Sequence, residues 1–231
     1  NLDVVDIDGA VDMASTLIVK GGDGVTVQTS SDTFLQLKTT GTTANNYIEF
    51  KDSGGSAGNF QYNHASNYLA TKVNGAEAMR ISSIGAVTKP LQPAFSVEKS
   101  GNQDNIALNT NVTVTFETER IDANSDFASN TFTAPVTGKY QLNIFLRFNN
   151  LDNDAGFYQV KIITSNRNHN VHTYDPRGLD QDISYVNFNG SVLADMDASD
   201  TAYIVVYQNN GTQQTDISSG SDTRFSGYLV A

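Results

Sequence analysis

Three histidines, His64, His169 and His172, and several closely spaced carboxylates are the side chains of this sequence best equipped for chemistry. His169, His172 and Asp175 stand near enough in sequence for a metal site. On an extended strand, however, residues three apart point to opposite faces, so this spacing predicts separated surface side chains. Acidic pairs at Asp152/Asp154, Asp180/Asp182 and Asp195/Asp197 are of the right type for calcium or for glycosidic acid–base work. Nothing in their spacing singles one pair out, so they read as solvated loop acids. Gly21-Gly22-Asp23-Gly24 lies between two strand-like runs and reads as a turn, because a phosphate-cradling loop would open a helix. There is no Gly-x-Ser-x-Gly, no His-Glu-x-x-His and no cysteine. The expectation is a protein that is not an enzyme and uses no cofactor and no metal.

The longer loops offer binding chemistry instead. Residues 149–155, 166–182 and 209–215 are rich in Asn, Asp, Arg, His and Tyr. Such side chains combine hydrogen-bonding groups with flat aromatic faces, as a glycan or protein receptor requires. Asn150, Asp152, Asn153, Arg167, His169, Tyr174 and Arg177 are the candidate receptor contacts. A formal net charge of -11, without any local Lys/Arg cluster, argues against nucleic acid, whose phosphates would be repelled. No apolar run approaches the roughly 20 residues that span a bilayer, so no membrane insertion is expected. Position 1 is Asn rather than Met, so the sequence reads as a processed chain or as part of a longer one.

The elements that must position these residues are strands. Asn, Thr, Ser, Asp and Gly dominate the composition, and charged residues make up only 17%. That balance suits strands joined by polar turns. Lys89-Pro90-Leu91-Gln92-Pro93 is the clearest boundary, because two prolines forbid a continuing ladder. It divides the chain into residues 1–89, a linker at 90–93, and residues 94–231.

Before the boundary the apolar runs are short: Leu17-Ile18-Val19, Val25-Thr26-Val27, Phe34-Leu35-Gln36-Leu37, Tyr47-Ile48-Glu49-Phe50, Asn59-Phe60-Gln61-Tyr62 and Met79-Arg80-Ile81. Asn74-Gly75 between two such runs is the strongest hairpin signal. Ala10, Met13, Ala14 and Leu17 have helical spacing over a single short stretch. With no stripe long enough for a private core, residues 1–89 are expected to form a β-rich stalk. It would bury its apolar faces against copies of itself around a symmetry axis; an independent small β-domain is the alternative.

After the boundary the strands lengthen. Tyr140, Leu142, Ile144, Leu146 and Phe148 share one face, and Phe145 interrupts the polar one. Many alternating strands with regular turns predict an all-β sandwich or barrel. Periodicity leaves immunoglobulin-like and jelly-roll topologies both open.

Four segments resemble the globular head of the complement C1q family. They are Pro93-Ala94-Phe95-Ser96-Val97, the stretch from Val114 to Tyr140 containing Thr131-Phe132-Thr133-Ala134-Pro135, the pair Gly190-Ser191-Val192-Leu193 and Ser199-Asp200-Thr201, and Arg224-Phe225-Ser226-Gly227-Tyr228-Leu229. The resemblance covers residues 93–231. It implies a jelly-roll β-sandwich shared with tumour-necrosis-factor-like proteins and assembled as a homotrimer, with Phe145, Phe148 and Tyr228 as trimer-interface candidates. Ser199 stands where the family usually has Gly, and Leu142 where it usually has an aromatic. No collagen-like Gly-X-Y run precedes the head. Residues 46–88 resemble stem segments of bacteriophage fibre proteins, and the proline-linked join resembles fibres of marine phages.

These resemblances imply a structural virion protein, a phage tail fibre or spike subunit whose head attaches to a host surface. Its partners would be two further copies, other virion proteins at the N-terminal end, and a host cell-surface glycan or protein. Its place would be the extracellular virion, after assembly in the host cytoplasm. A head fibre or capsid decoration protein is the nearest variant. A secreted C1q-like lectin and a fibre-borne glycan hydrolase are the rivals.

Overall fold

The computed structural model describes residues 31–33 and 35–231. The expected runs at 17–19 and 25–27, the glycine turn at 21–24, the helical spacing at 10–17, and Phe34 lie outside the described residues. Leu35 and Leu37, expected in a strand, are in none; both are exposed, Leu35 at 73%. The described residues contain strands, turns and bends but no helix, so no helix is long and apolar enough to cross a membrane.

The first unit is one antiparallel meander, β1 (Asn45–Asp52), β2 (Gly55–Asn63), β3 (Tyr68–Val73), β4 (Ala76–Ile81) and β5 (Val87–Thr88), paired in chain order. Asn74 and Gly75 join β3 to β4 with φ of 49° and 77°, the left-handed pair that a type I′ turn demands. Register sorts the side chains onto two faces. Ile48 opposes Phe60, Tyr62 opposes Leu69, and Leu69 opposes Ile81, which in turn opposes Val87. Phe50, Val73 and Met79 fall on that same face by alternation.

Among the described residues nothing covers this apolar face. Ile48, Phe50, Phe60, Tyr62, Leu69, Val73 and Val87 are all 38–59% exposed. The other face is polar. Arg80 lies 3.9 Å above the Tyr68 ring, and Ala70 and Gln61 are buried. Among the described residues this single layer encloses no core of its own.

The second unit is a two-layer sandwich. Its strands are β6 (Ala94–Lys99), β7 (Asn111–Thr113), β8 (Thr118–Asp122), β9 (Phe127–Ala128), β10 (Thr131–Thr133), β11 (Gly138–Leu151), β12 (Phe157–Thr164), β13 (Asn168–Tyr174), β14 (Ile183–Met196), β15 (Thr201–Asn209), β16 (Asp216–Ile217) and β17 (Gly220–Leu229). One sheet runs β14-β11-β17-β6-β8, with β16 on β11; the other runs β13-β12-β15-β10-β9, with β7 on β15. This non-sequential order, antiparallel throughout, is a jelly roll and excludes the immunoglobulin alternative.

The core forms where the alternation of β11 predicts it: Tyr140, Leu142, Ile144, Leu146 and Phe148 are each at most 2% exposed. Phe95 stacks on Phe132 at 4.5 Å and meets Phe225 edge-on at 4.9 Å. A Cβ at Gly227 would come within 2.7 Å of both Leu142 and Phe95, so only glycine lets β17 lie this close over them. Ser199 sits at φ 78°, a left-handed conformation that explains the family's usual glycine there.

Candidate functional site

Chain direction gives the sandwich two distinct ends. The linker enters where the Leu229 amide donates to the Pro93 carbonyl (3.0 Å) and the Lys139 amide to that of Ala231 (2.7 Å). From there β11 runs its fourteen residues, roughly 45 Å, to Leu151 at the far end. The loops after β11, after β13 and after β15 gather at this stem-distal end.

Asp152 is the hub of that end. It is completely buried, and its carboxylate accepts the amides of Asp154 and Gln213 (2.8 Å each) and of Thr212. Burial by itself would push its acidity down. The amides of Gln213, Asp154 and Thr212 outweigh that, and they hold the carboxyl below the usual range. Gly211, at φ 116°, arches over it; a Cβ there would strike the carboxylate. Asp182 ties in the third loop, accepting the Asn153 amide and the Gln213 side chain at 2.9 Å each. Tyr158, buried beneath, accepts the Asp152 amide at 2.9 Å.

The seven predicted receptor contacts therefore do not form one site. Asn150, Asn153 and Arg177 share the stem-distal end; Asn150 donates to Asp216 at 2.9 Å and Asn153 to the Leu179 carbonyl at 3.2 Å. Asp152, among them in sequence, is withdrawn from solvent and is a structural anchor, not a contact. Tyr174, partly buried, packs on Phe188 at the edge of the core. Arg167 lies at the stem-proximal end, where it faces Asp195 at 3.8 Å, and His169 stands beside it on β13.

The histidine spacing is also corrected. Val160 pairs with His172 and Lys161 with Asn170, which leaves Val171 as a bulge. The extra residue returns His169 and His172 to the same side of β13, against the strict alternation expected. His172 is then taken up by a stack on Phe188 at 4.4 Å. Among the described residues no group of three or more His, Asp or Glu could hold a metal.

Arg177 and Asp175 form an exposed pair, and the guanidinium pulls the Asp175 carboxyl down to about 2. Arg177→Ala is expected to raise the Asp175 carboxyl part of the way toward the ordinary value of about 4, because the amide of residue 177 still donates to it; carbon-detected NMR titration follows the change. The melting temperature should not move, because exposed pairs contribute little.

Of the interface candidates, Phe145 and Tyr228 lie on the outward face of the β11 sheet. Phe145 lines a shallow depression with Asn143, Asn189 and Arg224; Tyr228 is 49% exposed. Phe148 does not belong with them. It points into the core between Tyr158 and Phe188, so no neighbouring chain can reach it. The outward face also carries Leu193 and Tyr185, 55% and 65% exposed, which the alternation of β14 could have revealed. Arg147 Nε and Asn149 Oδ1, on the same face, are buried without a hydrogen-bond partner among the described residues.

The profile of the C1q domain matches residues 94–230, more than half of the sequence. The chain belongs to the C1q family. Among solved structures, the globular domain of zebrafish complement 1qA is 18% identical with a TM-score of 0.45, covering 61% of this chain and 98% of that one. Murine APRIL is 9% identical with a TM-score of 0.44, covering 60% of this chain and 99% of its own. No curated protein sequence matches. The C1q head thus accounts for the whole sandwich, and the meander sheet of residues 45–88 stands outside it.

Proposed function

We propose that this C1q-family chain is the subunit of a trimeric phage fibre or spike, with residues 1–89 as stalk and the C1q head as the part that meets the host surface. The observation that carries the reading is the uncovered apolar face of the stem sheet. Seven large apolar side chains on one side of a single layer are stable in water only if something covers them. Three copies turned inward about one axis cover one another, and each sheet then shows water only its polar face.

The head supports the same symmetry. C1q-like domains typically associate as homotrimers, and the outward face of the β11 sheet offers Phe145, Tyr228, Leu193 and Tyr185 for that purpose. In this arrangement the stalk leads to other virion proteins and the stem-distal loops face the host. Three weak contacts on one rigid head raise one another's effective concentration.

The reading is tested by mixing fluorescently labelled protein with a panel of marine bacterial strains and with their isolated surface polysaccharides. Saturable binding to a subset of strains, with no new reducing ends, is the expected result. Binding to no strain would overturn attachment, and new reducing ends would make the protein a hydrolase.

A further inference from the structure

We infer that the outward face of the β12–β15 sheet is a glycan platform that takes one pyranose ring of a host-surface polysaccharide. The inference rests on the attachment reading above and names its ligand class. Inward positions Tyr158, Val160 and Ile162 of β12, and Ile204 and Val206 of β15, fill the core. Alternation therefore turns Phe157, Gln159 and Lys161 outward beside Tyr203, Val205 and Tyr207.

Phe157 and Tyr207 stack with centroids 5.7 Å apart and planes 20° from parallel, forming one offset aromatic shelf. Around it stand hydrogen-bonding groups. Gln159 is paired directly with Tyr207, and so on the opposite side is Asn111 of β7. The Lys161 ammonium lies 5.3 Å from the Tyr207 centroid and donates to Asn111 Oδ1 at 3.3 Å. Aromatic shelf and polar rim together shelter Val205, which faces outward yet is only 4% exposed.

This is the chemistry a pyranose needs. Its axial C–H groups present an apolar face that packs on an aromatic ring, while its equatorial hydroxyls reach amide and ammonium groups at the rim. Charge separates this face from the rest of the molecule. The chain carries 25 carboxylates, yet no outward position of β7, β12, β13 or β15 in the paired register is Asp or Glu. Lys161 is its one charged group, so an acidic sugar repelled elsewhere is tolerated here. The rings are recessed, unlike Tyr185 on the opposite sheet, and a shallow amide-rimmed shelf suits a flat saccharide better than the apolar knob of a protein partner. Phe157 opens β12 and Tyr207 lies near the end of β15, so the shelf adjoins the stem-distal loops.

The test uses the full chain against immobilised bacterial polysaccharides, neutral and acidic, with Tyr207→Ala, Gln159→Ala and Lys161→Met. Wild type should bind a subset of the polymers. Tyr207→Ala should lose at least about tenfold in apparent affinity and Gln159→Ala about threefold, the scale of central contact residues, with native mass unchanged. A loss on Lys161→Met confined to acidic polymers would identify the sugar as acidic; an equal loss on both would identify a neutral hydroxyl contact. Should Tyr207→Ala fail to fold, Gln159→Ala, at a partly buried polar position, decides. No binding of wild type to any polymer, or binding by Gln159→Ala and Tyr207→Ala equal to wild type, overturns the platform. Whole-cell binding measured in parallel separates the two claims. Variants that bind cells normally refute the shelf alone, while a wild type that binds no cells refutes attachment itself.

Discussion

Ile48→Asp with Phe60→Asp is expected to open the stem while leaving the head folded. The two positions face each other across β1 and β2 on the uncovered apolar side, and neither touches a core within its own chain. In a solitary subunit the change would cost only the mutual repulsion of two opposed, solvated carboxylates, up to about 1 kcal/mol. Between three packed sheets it would bury six carboxylates, each costing several kcal/mol. Covering seven half-exposed apolar side chains per subunit contributes on the order of 10 kcal/mol before ordering costs, and the charges would cancel most of it. Limited proteolysis within residues 45–88 should therefore accelerate on the order of a hundredfold or more, as expected when cleavage follows the open population. Resistance equal to or above that of the unaltered protein would mean the face is not shared between chains.

The second large effect belongs to Asp152. Asp152→Ala removes a buried acceptor that holds amides from its own turn and from a loop some sixty residues away. Hydrogen bonds to a charged group contribute about 1.5–3 kcal/mol each. With partial rescue of the freed amides by water, a loss of about 3 kcal/mol follows, or roughly 10 °C in melting temperature for a chain of this size. The pH dependence has a definite sign. The folded carboxyl is held below its ordinary range, so its contribution is complete above the unfolded value near 4 and drains away as pH falls through the lower folded value. The gap in melting temperature between wild type and variant should be constant from about pH 7 to 5 and shrink below about pH 4. A gap that widens in acid would mean the group is protonated in the native state.

What could be read from the sequence follows the reach of each signal. Period-two alternation is local, and it located the core face of β11 and the Asn74-Gly75 hairpin. The same alternation puts Phe148 on the core face, and that position removes it from the interface candidates. Strict alternation failed at His169 and His172 because one bulged residue, Val171, reverses the phase, and no turn residue marks it. Asp152 sits in a Leu-Asp-Asn-Asp run that reads as a solvated turn. Its donors Thr212 and Gln213 are distant in sequence, so its burial left no local trace. Phe157 and Tyr207, fifty residues apart, meet only because β12 and β15 pair.

Every part of the proposed fibre requires three chains about one axis, and the native mass of the particle in solution tests that most directly. Sedimentation equilibrium or native mass spectrometry at micromolar concentration should give three times the 24.9 kDa of one chain. A stable species at the mass of a single chain, with residues 45–88 still folded, would contradict it.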